Sequence, residues 1–219
     1  MFLLWLKVCK DPRKATIAPR FEPPRGMHPG EAGVLIDDRA DLRDITAMVI
    51  GLAVAGYIKI KEIQAEDTGM LEHVKKLFGR SGPVDYEFVK LREPDDKLTR
   101  AEKRLMNAIF DSTHPESRTL SSLENEFYQH LPQIKADLYS ELIKKGYYPH
   151  NPERVRGFYA VLGMMIIGFG IFLGIFAASF YLGIAVGLCG LIVLAFSPIM
   201  PRKTKKGVEV YRDLLGLSE

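Results

Sequence analysis

The residue types that most often perform enzyme or metal chemistry are widely scattered along this sequence. Its histidines and cysteines are His28, His73, His114, His130, His150, Cys9 and Cys189. No two histidines lie three or four positions apart, whereas a metal site needs several ligands that converge, often at such short spacings. We therefore predict no metal site and no cofactor. Two cysteines are also too few for a disulfide framework.

Paired carboxylates, a common source of general acid–base catalysis, occur at Asp37-Asp38 and at Asp95-Asp96. Helix breaks and helix caps explain both pairs better than a catalytic dyad does. Ser81 does not lie in the Gly-x-Ser-x-Gly pattern of a hydrolase nucleophile elbow. The sequence thus offers no catalytic residues, and we predict that the chain is not an enzyme.

Nearly all of the apolar excess of this chain lies in one block. No Asp, Glu, Lys or Arg occurs from residue 157 to residue 201, although charged residues make up 26% of the chain and its net charge is +3. A membrane-spanning helix needs about 20 apolar residues. The block therefore predicts two spans, 158–177 and 182–200, joined by a turn at 178–181. This hairpin excludes an entirely soluble protein.

Basic residues stand at both ends of the predicted hairpin, and none stands in its turn. These membrane-flanking cations are Arg154, Arg156, Arg202, Lys203, Lys205 and Lys206. Cytoplasmic flanks of membrane helices are enriched in Lys and Arg, and such clusters attract anionic lipid head groups. We predict a multi-pass membrane protein with its soluble region and its C-terminus in the cytoplasm.

Two pairs of glycines lie four positions apart within the predicted spans: Gly170 with Gly174, and Gly183 with Gly187. Small residues at this spacing let helix backbones approach closely in lipid, although glycine is also common in membrane helices generally. We predict that these four glycines pack the spans together. No ionisable residue lies at membrane depth, so the sequence shows no proton relay or transport path.

The stretch from residue 22 to residue 156 is slightly acidic, with 20 Lys and Arg against 23 Asp and Glu. This balance is a poor match to nucleic acid, because nucleic-acid binding depends largely on neutralising phosphates. Apolar periodicity predicts both helices and strands in this stretch. The predicted helices are 29–36, 42–55 and 132–145, and the predicted strands are 57–63 and 84–91.

Capping signals complete the prediction of the soluble region. The capping-box pairs Thr99 with Glu102 and Ser121 with Glu124 indicate two further helix starts, and the Gly-Tyr pairs that begin at Gly56 and Gly146 indicate helix ends. We predict a mainly α fold with a small β component (α+β). Its parts are tandem winged-helix-like cytoplasmic units at 22–92 and 93–152, a two-helix transmembrane hairpin at 153–201, and a cytoplasmic tail at 202–219.

The first six residues are apolar and are followed by the cations Lys7, Lys10, Arg13 and Lys14. A signal peptide has its positive charge before its apolar stretch, and six residues are too few to span a bilayer. We interpret residues 1–21 as the remnant of a membrane helix with a basic juxtamembrane flank. A short peripheral anchor is the alternative. The first interpretation predicts that the chain is truncated at its N-terminus.

Three parts of the sequence resemble the YciQ-like family of predicted bacterial membrane proteins. The first part comprises residues 10–12, 21–33 and 41–62, with the motif Pro-Pro-x-Gly-x-x-Pro-x-Glu that begins at Pro23. The second comprises residues 138–148 and 151–153 before the hairpin, and the third comprises residues 200–207 after it. The resemblance implies a location in the bacterial inner membrane. The resemblance covers nearly the whole chain. It implies the C-terminal cytoplasmic and hairpin portion of a longer protein that also has an extracytoplasmic β-rich domain. The family is a domain of unknown function, so the resemblance implies no catalytic residues.

These observations favour a non-enzymatic membrane protein whose cytoplasmic region is a protein-interaction or scaffolding module. The expected partners are the lipid bilayer and another membrane or cytoplasmic protein, and the oligomeric state stays open. A membrane-tethered DNA-binding regulator is the alternative, with 42–55 or 132–145 as its recognition helix. The first helix is too apolar and has few side chains that could contact base edges. The polar side chains available to the second helix are Gln133, Lys135, Lys144 and Lys145. A third possibility is an accessory subunit of a membrane enzyme or transporter.

Overall fold

The computed structural model describes residues 22–24, 26–64, 84–123, 126–176 and 180–217. Most of these residues are helical, which confirms the mainly α fold with a small β component. The elements in chain order are α1 (Pro29–Asp37), α2 (Leu42–Val54), β1 (Ile58–Gln64), β2 (Val84–Lys90), α3 (Arg100–Ile109), β3 (Ser117–Thr119), α4 (Leu120–Leu123), α5 (Phe127–Lys144), α6 (Pro152–Phe176), α7 (Phe180–Phe196), a 3-10 turn (Ser197–Ile199) and α8 (Lys205–Leu215). The predicted remnant at 1–21, Ser81 and His73 lie outside the described residues.

Residue contacts divide the described chain into two compact units. The sheet unit contains residues 28–30 and the described part of 42–138, and the anchor unit contains residues 31–41 and the described part of 139–219 together with the described residues before 28. Because the units are defined by residue contacts, each unit contains segments that are not consecutive in the chain. The predicted boundaries after residues 92 and 152 therefore remain predictions, as does the winged-helix-like assignment.

The sheet unit is built on three antiparallel strands in the order β1-β2-β3. The long β1–β2 pairing runs from Ile58 opposite Lys90 to Gln64 opposite Val84, and β3 pairs with the other edge of β2. Helix α3 has a strongly one-sided apolar pattern, as an amphipathic helix on a core does. The buried side chains of the unit include Ile45, Met48, Leu52, Phe88, Leu105, Met106, Ile109, Ile134 and Leu138.

The two predicted Gly-Tyr helix ends have the same backbone geometry. After α2, the amide of Tyr57 donates to the carbonyl of Leu52 (2.9 Å), and the amide of Gly56 donates to Ala53. After α5, Tyr147 and Gly146 repeat both hydrogen bonds with partners at the same spacing. Both glycines have a φ of +77°, the left-handed conformation that a Schellman motif requires. These helix ends were therefore predicted correctly.

Two predicted helix starts are wrong. Helix α5 begins at Phe127, and Pro132 lies inside it. Pro132 is the sixth residue of α5, so its missing amide removes the hydrogen bond that would reach the Tyr128 carbonyl. Ser121 lies inside α4 instead of capping a helix. Its hydroxyl donates to the Asp85 carboxylate (2.6 Å), and this bond lowers the pKa of Asp85.

Candidate functional site

Helices α6 and α7 have the length and composition of membrane spans. The segments Pro152–Phe176 and Phe180–Ile199 have mean hydropathies of 2.3 and 2.4, and only 11% and 22% of their most apolar windows are buried within the protein. A core helix of a soluble protein is mostly buried, whereas these helices expose their apolar side chains. The exposed side chains include Phe158, Met165, Phe169, Ile175, Phe176, Phe180 and Tyr181.

The ends of the hairpin differ from the predicted ones in two respects. Helix α6 begins at Pro152, so Arg154 and Arg156 lie in its first turns instead of before it. Helix α7 begins at Phe180, so Phe180 and Tyr181 are helical and do not form the turn. Neither residue type breaks a helix, and the apolar run continues through both of them. The rest of the predicted turn, 177–179, lies outside the described residues.

The structure places the predicted glycines where α6 and α7 contact each other. A Cβ added to Gly170 would lie 2.7 Å from the amide nitrogen of Gly187, and one added to Gly183 would lie 2.7 Å from the Gly174 Cα. Such distances are too short for any side chain, so Gly170 and Gly183 allow the close approach. A Cβ on Gly174 would make an ordinary contact, and a Cβ on Gly187 would meet no atom within 4 Å.

Sequence reasoning missed two glycines at the same helix contact. A Cβ on Gly163 would lie 2.9 Å from the Leu194 amide, and a Cβ on Gly190 would lie 2.7 Å from the Ile167 amide. Gly163 precedes Gly170 by seven residues, and Gly190 follows Gly183 by seven. A seven-residue repeat keeps small residues on one face of a helix over two turns. This heptad spacing was the signal that could have identified them.

Four of the predicted basic flank residues lie at the surface or bind the hairpin ends. Arg154, Arg202 and Lys205 are exposed, as cations that meet lipid head groups would be. The Arg156 Nε donates to the Pro198 carbonyl (3.3 Å), and the Ser197 hydroxyl donates to the Arg156 carbonyl (2.7 Å). Arg156 therefore also holds together the two ends of the hairpin.

Lys203 was predicted to be an exposed flank cation, but only 5% of its surface is exposed. Its Nζ forms a 2.7 Å ion pair with Asp38 and lies 4.7 Å from the centre of the Tyr211 ring. The Tyr148 hydroxyl also bonds to Asp38. Asp38 has a φ of +57°, an uncommon conformation for a residue with a side chain. We call Lys203, Asp38, Tyr148 and Tyr211 the juxtamembrane cluster.

The backbone next to this cluster is also fixed by hydrogen bonds. The Thr204 hydroxyl caps α8 by accepting from the Gly207 amide (3.0 Å) and donates to the Gly146 carbonyl (2.6 Å). Lys206 donates to the Lys145 carbonyl (2.8 Å) and lies over the Tyr147 ring. The segment that follows the hairpin is therefore attached to the end of α5.

An open cleft of about 660 Å³ lies in the sheet unit, next to α2. Ile50 and Val54 line it from the outer side of α2, and they expose 53% and 85% of their surface. Arg92 and Lys97 line its rim, and among the described residues neither side chain forms a salt bridge. The remaining lining residues are His28, Pro29, Ala47, Gly51, Leu52, Ala55, Tyr57, Leu98 and Glu102.

Glu102 is the most buried charged residue of the cleft wall, with 3% of its surface exposed. Its carboxylate lies 2.8 Å from the His28 Nδ1 and accepts from the Thr99 amide at 2.9 Å. Burial raises the pKa of Glu102, but the hydrogen bonds from His28 and Thr99 outweigh it and hold the pKa below its usual value. Thr99 and Glu102 form the capping box that was predicted.

A second hydrogen-bonded pair lies beside the cleft. The Tyr57 hydroxyl donates to the Asp95 carboxylate (2.7 Å). This hydrogen bond raises the pKa of Tyr57 and lowers the pKa of Asp95. Asp95 also accepts from the Lys97 amide. Both pairs, Tyr57 with Asp95 and His28 with Glu102, are thus hydrogen-bonded within the protein.

One family model matches the chain, and it covers residues 17–219. Its description is "Predicted membrane protein (DUF2207) C-terminal domain". The chain belongs to this family. The match confirms the resemblance seen in the sequence, and it agrees with the two candidate spans. No curated protein and no solved structure matches the chain.

Within the described part of this DUF2207 C-terminal domain, no three metal-binding side chains form a group that could hold an ion. His114 contacts Asp111, His28 contacts Glu102, and His130 and His150 are exposed. The candidate functional features of the described residues are the apolar hairpin, its exposed cations and the open cleft.

Proposed function

We propose that this chain is a membrane-anchored, non-catalytic binding module. The α6–α7 hairpin fixes it in the bacterial inner membrane with both hairpin ends in the cytoplasm, and the exposed flank cations contact anionic lipid head groups. The sheet unit, a winged-helix-like fold in this proposal, binds another membrane or cytoplasmic protein. Helices and a small antiparallel sheet support that fold, because both are parts of a winged helix.

The cleft beside α2 carries the proposal. A helix that is apolar on all sides is normally buried on all sides, and residues 45–58 contain no charge. One side of α2 packs into the sheet unit through Ile45, Met48 and Leu52. The other side exposes Ile50 and Val54 in an open cleft, where a partner would remove them from water.

The DNA-binding alternative has less support from α5. The Gln133 side chain accepts a hydrogen bond from Arg104 (2.8 Å). Lys145 forms a 2.6 Å ion pair with Glu31 and donates to the Gly26 carbonyl. Two of the four side chains proposed for base or phosphate contacts are thus already bonded within the protein, which leaves Lys135 and Lys144 for DNA.

Photo-crosslinking in intact membranes tests this proposal. A photoreactive phenylalanine analogue replaces Val54 in the cleft, and the matched control carries the same analogue at Lys59, which is exposed on β1 outside the cleft. We expect discrete protein adducts from position 54 that position 59 does not give. Equal adduct patterns from the two positions, or none from position 54, would contradict the proposal.

A further inference from the structure

The floor of the cleft is an apolar strip along one side of α2. Ala47, Ile50 and Val54 line the cleft at spacings of three and four residues, so they lie on one helix face. The strip is about 10 Å long at 1.5 Å per residue. Gly51 lies between them, and its lack of a side chain leaves room for Pro29, since a Cβ there would lie 3.0 Å from the Pro29 ring.

Two of the residues that line the cleft, Arg92 and Lys97, are exposed cations. No salt bridge joins them to any described residue. The Glu102 carboxylate of the cleft wall accepts a hydrogen bond from His28. An arginine can hold a carboxylate through two parallel hydrogen bonds. The complementary group on an occupant is therefore an acidic side chain.

We propose that the cleft binds an amphipathic helix of a protein partner, with its apolar face on the strip and a carboxylate against Arg92 and Lys97. This inference rests on the proposed function and specifies the partner's chemistry. In helix-in-groove recognition, an amphipathic helix packs its apolar face into a hydrophobic groove, and the strip supplies an exposed apolar surface of this kind. A site for a small amphiphile usually encloses most of the ligand's surface. This cleft is open along α2, so it suits a helix better than a small amphiphile.

Peptide binding to the full chain in phosphatidylcholine nanodiscs tests the proposal. The probe is a fluorescent helical peptide of about 18 residues, or five turns, with a leucine and alanine face flanked by glutamates. One matched control peptide carries lysines in place of the glutamates. The other contains the same residues as the probe in scrambled order. Empty nanodiscs give the background binding to lipid. Fluorescence anisotropy measures the affinities at low and moderate salt.

We expect the glutamate peptide to bind more tightly than either matched peptide, and more weakly as salt rises. Val54→Asp and the double variant Arg92→Glu/Lys97→Glu should each weaken its binding by about tenfold or more. Lys59→Glu, which changes a cation outside the cleft, should leave the affinity unchanged. The double variant should bind the lysine peptide more tightly than the unaltered chain does.

Several results would overturn this inference. Equal affinity for the glutamate, lysine and scrambled peptides would show that neither charge nor an apolar face is recognised. Complete displacement of the glutamate peptide by dodecanoate below its micellar concentration would identify a small amphiphile as the ligand. If no peptide binds while position 54 still crosslinks to a protein in membranes, the inferred partner chemistry is wrong and the proposed function stands. If no peptide binds and position 54 gives no crosslink, the inference and the proposed function are both wrong.

Discussion

Glu102 stabilises α3 through interactions on two sides. It accepts from the backbone of Thr99 and accepts again from His28, while its own amide donates to the Thr99 hydroxyl (3.2 Å). Glu102→Gln keeps the shape but weakens the charge-assisted bonds. We expect it to lower the free energy of unfolding by about 1–2 kcal/mol, measured by denaturant unfolding of the full chain in detergent. Asp96→Asn, at a fully exposed carboxylate, is the control, and an equal effect there would contradict this role.

The same residue predicts a pH dependence. Glu102 has a folded-state pKa below its usual value, which is about 4.3 in an unfolded chain. The folded state therefore favours the carboxylate, so its contribution is fully present above that unfolded pKa and is lost as pH falls through the folded pKa. We expect the stability of the unaltered chain to fall more steeply than that of Glu102→Gln below about pH 4.3. Parallel stability curves would show that Glu102 does not contribute in this way.

Lys203 predicts a different effect at the juxtamembrane cluster. Removing one partner of a buried ion pair leaves the other without compensation, although Asp38 keeps its bond from Tyr148 and is partly exposed. We expect Lys203→Met to destabilise the chain by about 1–3 kcal/mol in thermal unfolding followed by circular dichroism. Lys205→Met removes an exposed cation two residues away and should change little. The prediction fails if the two variants unfold alike.

The hairpin glycines give the clearest prediction at the scale of elements. A methyl group on Gly170 would meet the backbone of α7, while one on Gly168 would meet no atom within 4 Å. We expect Gly170→Ala to separate the helices at a cost of about 1–3 kcal/mol, seen as faster amide exchange in α6 and α7. Gly168→Ala lies on the same helix and should leave that exchange unchanged. Equal rates in both variants would mean that the glycines do not set the helix contact.

Elements that depend on local signals could be predicted from the sequence. The Gly-Tyr ends of α2 and α5 need a residue that adopts a positive φ, and the capping box needs hydrogen-bonding side chains at Thr99 and Glu102. The structure confirms both signals. The start of α5 was wrong because Pro132 was taken as a first-turn residue, whereas it is the sixth residue of the helix. Phe180 and Tyr181 were misplaced because nothing in an apolar run marks where a turn begins.

The cleft and the juxtamembrane cluster could not be predicted, because both depend on tertiary contacts. Apolar periodicity predicted a helix at 42–55, but it did not show that Ile50 and Val54 remain exposed. Lys203 was taken as one more flank cation, since its partners Asp38 and Tyr148 are far away in the chain. Tertiary contacts with these residues make Lys203 buried and paired.

At the scale of the whole molecule, the two apolar helices of the hairpin are the part of the described chain that could cross the membrane. The exposed flank cations lie at the start of α6 and after the end of α7, and a two-span anchor returns the chain to the side where it began. Cytoplasmic loops carry the excess of Lys and Arg. The proposed topology therefore puts residues 54 and 205 on one side of the membrane and residue 181 on the other.

Accessibility of single cysteines tests this central claim most directly. Cys9 and Cys189 are first replaced by serine, and one cysteine is then introduced as Val54→Cys, Tyr181→Cys or Lys205→Cys. A membrane-impermeant maleimide is applied to intact bacterial spheroplasts and to permeabilised ones. The account predicts labelling at position 181 in intact spheroplasts, and at positions 54 and 205 only after permeabilisation. Labelling of positions 181 and 205 from the same side, or release of the chain from membranes by alkaline carbonate, would contradict it.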